Sequence, residues 1–162
     1  MPFVNPYDEL LRGRDPRDVL ESSVTELSNL VRGWTAAHYD ASHAPGKWTA
    51  RQILLHLAHV EMIDGVRLRM ALAEPDYVVQ PFTPDAWVRA ETPAPGPEIV
   101  AEHHAMRRMN LRLWREVPAD RWRAPFAHPE CGTMTLEDLA SICAGHELHH
   151  LAQLRRISSV PS

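Results

Sequence analysis

The sequence predicts an all-α fold: an up-down four-helix bundle with a long Pro-rich connection between its second and third helices. Three observations carry that reading. Fourteen prolines are spread over 162 residues, yet they leave four long windows free: 17–44, 46–74, 98–117 and 130–160. Each window repeats its apolar residues at helical spacing, with little alternation of the strand type. Apolar residues make up 44% and charged residues 23%, which suits a packed core and excludes a disordered chain. A chain of this length fits one domain, 1–162.

The first helix is expected over 16–37. Asp15 is its N-cap, and Pro16 takes the first helical position, where a missing N–H costs nothing. Leu20, Val24, Leu27, Val31 and Trp34 recur at spacing 4-3-4-3 and make one stripe. The second helix is expected over 49–73. Thr49 and Gln52 fit a capping box, and Pro75 ends the run. This helix is apolar nearly all round, so it belongs in the centre of the bundle. Gly65 within it costs helix propensity and points to close packing.

Residues 75–96 hold five prolines and are long for a bundle connection, with room for a short helical turn over 85–90. The third helix is expected over 97–117, opened by Gly96-Pro97 and stopped by Pro118. His103 and Asn110 interrupt its apolar face of Ile99, Met106, Leu113 and Val117. The fourth helix follows a Thr135 cap and runs to 157. Leu136, Leu139, Cys143, His146, His150, Leu154 and Ile157 share one face by spacing. No strand is expected.

Charge and composition narrow the function. The net charge is −4, so no basic excess exists to neutralise a phosphate backbone, and nucleic acid is not an expected partner. No apolar run reaches the roughly 18 residues of a membrane span. The first residues show neither the basic nor the apolar stretch of a leader. Cys131 and Cys143 form no CxxC pair and read as reduced thiols. A cytoplasmic protein is expected.

Ten histidines remain to be sorted. His38, His43 and His128 fall in loops and read as solvated. His103 reads as a core histidine. His146 and His150 differ, because spacing i, i+4 puts both on one face, a turn apart, within an apolar stripe. Such a pair either binds one divalent metal or is buried and satisfied by hydrogen bonds. His56 lies on an inward stripe with Ile53, Val60 and Ile63, and metal sites in bundles are built from facing helices. His56, His146 and His150 would then make a three-histidine site with positions left open for a ligand. His59 and His149 are second choices. His146-Glu147-Leu148-His149-His150 also fits the HExxH pattern of zinc proteases. No Asp, Glu or His follows as a third ligand, and no sheet is expected to hold a peptide, so the protease reading is set aside.

Several motifs together resemble the DinB-like superfamily. Trp48-Thr-Ala-Arg-Gln-Ile-Leu-Leu-His56-Leu-Ala-His-Val-Glu61, followed by Arg67, is similar to its opening motif. Pro81-Phe-Thr-Pro-Asp85-Ala-Trp87 resembles its mid-chain linker. His128-Pro-Glu-Cys-Gly132-Thr-Met-Thr-Leu136 and His146-Glu-Leu-His-His150-Leu-Ala-Gln153 resemble its C-terminal motif. The resemblance implies a four-helix bundle, commonly a homodimer, with a divalent metal on His56, His146 and His150. Relatives include S-transferases of low-molecular-weight thiols and a mycothiol-dependent isomerase. Glu147 stands where many relatives have Asp.

A dication on three neutral imidazoles makes a bound thiol or water easier to deprotonate. The expected function is thiol transfer to a small electrophilic substrate, with hydrolysis or a non-catalytic binding bundle as alternatives. Zn and Ni both suit imidazole. Glu147 and Gln153 are candidates to support the ligands, against a solvated face for Glu147. Arg67 is a candidate for an anionic substrate group, against a structural ion pair. Trp48, Trp87, Trp114 and Trp122 read as packing anchors.

Overall fold

A computed structural model describes residues 3–159. Residues 1–2 and 160–162, the ends of the expected domain, lie outside the described residues. Among the described residues, four long helices form the bundle: α2 (Pro16–Leu30), α4 (Ala50–Ala73), α6 (Gly96–Glu116) and α7 (Leu136–Ser158). Three short helices decorate it: α1 (Asp8–Leu11), α3 (Ala36–Asp40) and α5 (Pro84–Ala90). No helix among the described residues is long and apolar enough to cross a membrane.

The expected helix starts are set by the expected caps. Asp15 accepts from the backbone N–H of Arg17 at 2.8 Å. Thr49 and Gln52 bond reciprocally, Gln52 N–H to the Thr49 hydroxyl and Thr49 N–H to the Gln52 side chain. Thr135 caps α7, and Asp138 completes that box. The short helix in the Pro-rich connection is α5.

Three expectations need correction, the third being the up-down order of the helices, which breaks where α4 and α6 run parallel. The first helix stops at Leu30 rather than at 37. Gly33 takes φ +80°, a conformation that ends a helix, and Thr35 starts α3 with a cap completed by His38. Strands also exist: β1 (Pro125–His128) and β2 (Gly132–Thr135) form an antiparallel hairpin with Phe126 opposite Met134. Each strand has four residues and only one buried apolar side chain, too few for alternation to show.

The helix directions follow from cross-contacts. Arg51 reaches the carbonyl of Ala94, Glu61 pairs with Arg107, and Arg121 reaches the carbonyl of Ala71. So α4 and α6 run parallel. His56 meets His146 and Asp64 meets Cys143, so α4 and α7 run antiparallel. The bundle ring is α2–α6–α4–α7, with α2 diagonal to α4 and α6 diagonal to α7. Alternation therefore holds from α2 to α4 and not from α4 to α6. The Pro-rich connection is the cause. It climbs back along α4, pairing Val79 with Ala127 and Glu91 with His59, before α6 begins.

Two apolar clusters fill the interior. One joins Leu20, Leu68, Trp114, Phe126, Met134 and Leu139. The other joins Leu27, Ile53, Leu57, Ile99, Leu154 and Ile157.

Candidate metal centre

Three side chains on two helices meet where α4 faces α7. His56 Nε2 and His146 Nε2 are 3.0 Å apart, and His150 Nε2 is 3.0 Å from His146 Nε2. The helical rise explains why. His146 and His150 stack one turn apart on α7, and α4 runs antiparallel past them with His56 facing in.

Burial keeps these rings neutral. It pushes the pKa of His56 down to about 3, helped by His150 and His59. It pushes His150 down to about 4 although Gln153 opposes the shift. His146 falls well below the ordinary imidazole value through burial and its two neighbours. Gln153 Oε1 lies 2.8 Å from His150 Nδ1, and the same amide donates toward His149. His150 therefore carries its proton on Nδ1 and leaves Nε2 as a lone pair. One N–H cannot satisfy both 3.0 Å contacts at His146. Imidazole nitrogens at about 2.0–2.1 Å from a tetrahedral zinc stand about 3.3–3.4 Å apart, a few tenths of an ångström wider than the contacts here. The donor set fits a divalent cation.

The other two rings are held by packing. Nδ1 of His56 and of His146 are buried without a partner among the described residues. Trp48 lies 4.9 Å from the His56 ring and is nearly parallel to His150. Tyr7 meets His146 edge-on at 5.7 Å. Gly145 makes that approach possible, since a Cβ there would stand 2.5 Å from Tyr7 Cβ.

The triad lies on the wall of a cavity of about 530 Å³. One face of α4 lines it at four positions: His56, Val60, Asp64 and Arg67. The connection supplies Phe82, and the hairpin turn supplies His128. His128 is thus half-buried at the cavity rather than solvated. Its Nδ1 accepts the N–H groups of Glu130 and Cys131, which fold the turn around it. Arg67 makes the structural ion pair with Asp64 at 3.0 Å and also lines the cavity. Neither second choice joins the triad, although His149 lines the same cavity. His59 binds Glu91 and packs on Trp87, and His149 stays exposed.

Glu147 is not on a solvated face. It is buried and turned away from the cavity, 3.0 Å from Arg107. Arg107, only 2% exposed, also bonds Glu61 at 2.7 Å, the Ser23 hydroxyl and the carbonyl of Leu20. Burial opposes ionisation of Glu147, but Arg107 and His103 hold its carboxyl well below the usual range. Arg107, against the same burial penalty, is held charged by Glu61 and Glu147. Sequence reasoning missed this hub. Its one signal was Arg107 lying between His103 and Asn110 on an inward stripe.

The sequence profile of the DinB superfamily fits residues 20–154. The chain belongs to the DinB superfamily. Its relatives include OB0782 of Oceanobacillus iheyensis, 27% identical over 94% of this chain and 81% of that one. YfiT of Bacillus subtilis is 26% identical over 86% of this chain and 80% of its own. Both carry names that assign them to metal-dependent hydrolases. The solved YfiT structure, described as a four-helix bundle of unusual topology, superposes with a TM-score of 0.80 over 88% of this chain and 83% of YfiT. A mycothiol-dependent maleylpyruvate isomerase shares the fold, with a TM-score of 0.66 at 15% identity over 86% of this chain and 59% of its own. Metal dependence in the relatives and a three-histidine group here agree.

Proposed function

We propose that this protein is a metal-dependent enzyme. His56, His146 and His150 hold one divalent cation, zinc or nickel, and the adjoining cavity admits a low-molecular-weight thiol and its electrophile. One observation carries the reading: three imidazole Nε2 atoms converge on the wall of an open cavity, not inside closed core. A divalent cation held there supplies Lewis acidity, which eases loss of a proton from a thiol or a water. Gln153 fixes the tautomer of His150. Glu147 and Glu61 set two carboxylates against the guanidinium of Arg107 and the His103 ring, and Glu147 adjoins His146 in the chain, where a carboxylate favours a cation. Val60, Phe82 and Ile142 give the cavity dry walls.

A second reading has water as the nucleophile, and the names of the relatives favour it. The two separate in one assay. Metal-loaded protein is given an activated aryl halide with bacillithiol, mycothiol, glutathione or no thiol. Product that requires one of the thiols, and is lost in His146→Ala, supports transfer. Turnover indifferent to thiol rejects transfer in favour of hydrolysis.

A homodimer belongs to the same proposal. Met62, Val66 and Met70 make an exposed stripe on α4, with Met109 exposed on neighbouring α6. Light scattering at twice the chain mass is the expected result, and a monomer rejects it.

A further inference from the structure

The cavity has a second polar end. His56, Val60, Asp64 and Arg67 follow one another down a single face of α4, so Arg67 stands about 16 Å along the axis from His56. The guanidinium points back up the helix, since Nη1 bonds Asp64 one turn earlier at 3.0 Å. Phe82 flanks it at 5.8 Å. The rest of the fork is unused. Nε is buried without a partner among the described residues, so the open donor is Nη2. Nη2 has only a 3.5 Å contact with the carbonyl of Gln80, at the limit of a hydrogen bond.

His128 faces the same space from the hairpin. Its Nδ1 accepts two backbone N–H groups, at 3.2 and 3.3 Å. The ring proton therefore sits on Nε2, which is left to donate. Burial, then the charge of Arg67, pushes the His128 pKa down, so the ring is a neutral donor, and both side chains line the cavity.

We propose that Arg67 and His128 form a carboxylate-binding subsite, so that the substrate is a small carboxylic acid with an apolar middle and its reacting end toward the three histidines. The proposal rests on the reading of this cavity as a substrate site. Charge alone does not select the anion. Asp64 offsets Arg67, though its two oxygens are already taken by Arg67 and by the Cys143 thiol at 3.0 Å. Glu130 is exposed and solvated at the rim, while Tyr77 and Cys131 stay neutral because burial raises both. Selection comes from direction. Nη2 of the guanidinium and the imidazole N–H line one cavity, and each can donate to one of the two oxygens of a carboxylate. Val60, Phe82 and Ile142 line the stretch between the two ends and suit an apolar chain.

Calorimetry with 4-phenylbutyrate and 4-phenylbutyramide tests the subsite, in metal-free and metal-loaded protein. The acid should bind about tenfold or more tightly than the amide in both forms, as one charged hydrogen-bond pair implies. Arg67→Gln and His128→Asn should each erase most of that preference with metal content unchanged. Asn keeps an acceptor for the turn. Arg67→Lys keeps a cation beside Asp64 but not the fork, and should lose the preference while staying folded. Equal binding of acid and amide overturns the subsite. So does a preference that survives both Arg67 variants; if it needs metal, the carboxylate sits at the histidines. Loss of metal binding in wild-type protein with the preference intact would sink the proposed function and leave the subsite standing.

Discussion

Gln153 does more for the centre than its exposure suggests. Its Oε1 accepts from His150 Nδ1–H at 2.8 Å, and so decides which nitrogen faces the other two rings. Outer partners of this kind typically matter about 10–100-fold in metal affinity. Gln153→Leu should weaken zinc binding by about that factor without changing helix content. A competition titration with a chromophoric chelator measures it, and unchanged affinity would show that packing alone sets the His150 ring. His56, His146 and His150 were legible as a group because helical spacing and an apolar surround are both written in the sequence. Glu61, Arg107 and Glu147 were not. A charged residue on a helix normally means a solvated face, and only the tertiary fold shows three such groups satisfying one another.

Gly65 shows how an element positions a site. A Cβ at Gly65 would stand 2.5 Å from Asn110 Oδ1. Asn110 is buried and donates to both the carbonyl and the carboxylate of Glu61. The bare backbone lets α6 lie close against α4 and bring Arg107 to Glu61. Gly65→Ala gains helix propensity of about 1 kcal/mol, but overpacking costs about 1–3 kcal/mol. Net destabilisation is expected in urea unfolding, and a stabilised variant would show that Asn110 yields freely. The close approach was readable from a glycine inside an apolar helix. The hairpin was not, because four-residue strands carry no period, and it brings His128 to the cavity.

Arg107 is where the whole molecule is tied together. It stands on α6 and bonds Glu61 of α4, Glu147 of α7, and Ser23 and Leu20 of α2. All four long helices meet in one buried group, two of them the helices that carry the histidines. Arg107→Met leaves two carboxylates buried without a countercharge and should cost about 3–5 kcal/mol. Glu61→Gln/Arg107→Met/Glu147→Gln should be more stable than Arg107→Met alone. Equal stability of the two would mean that lost packing, not stranded charge, is the cost. The bundle class was legible from four Pro-free windows. The parallel pairing of α4 with α6 was not, since local pattern says where a helix begins and ends but not how far its connection climbs.

The central claim is that His56, His146 and His150 hold a metal ion. Elemental analysis of protein purified without a histidine tag, loaded with zinc or nickel and desalted, tests it most directly. One ion per chain is expected in the wild type, and none in His146→Ala at unchanged helix content. No ion in the wild type, or the same ion count in His146→Ala, would contradict it.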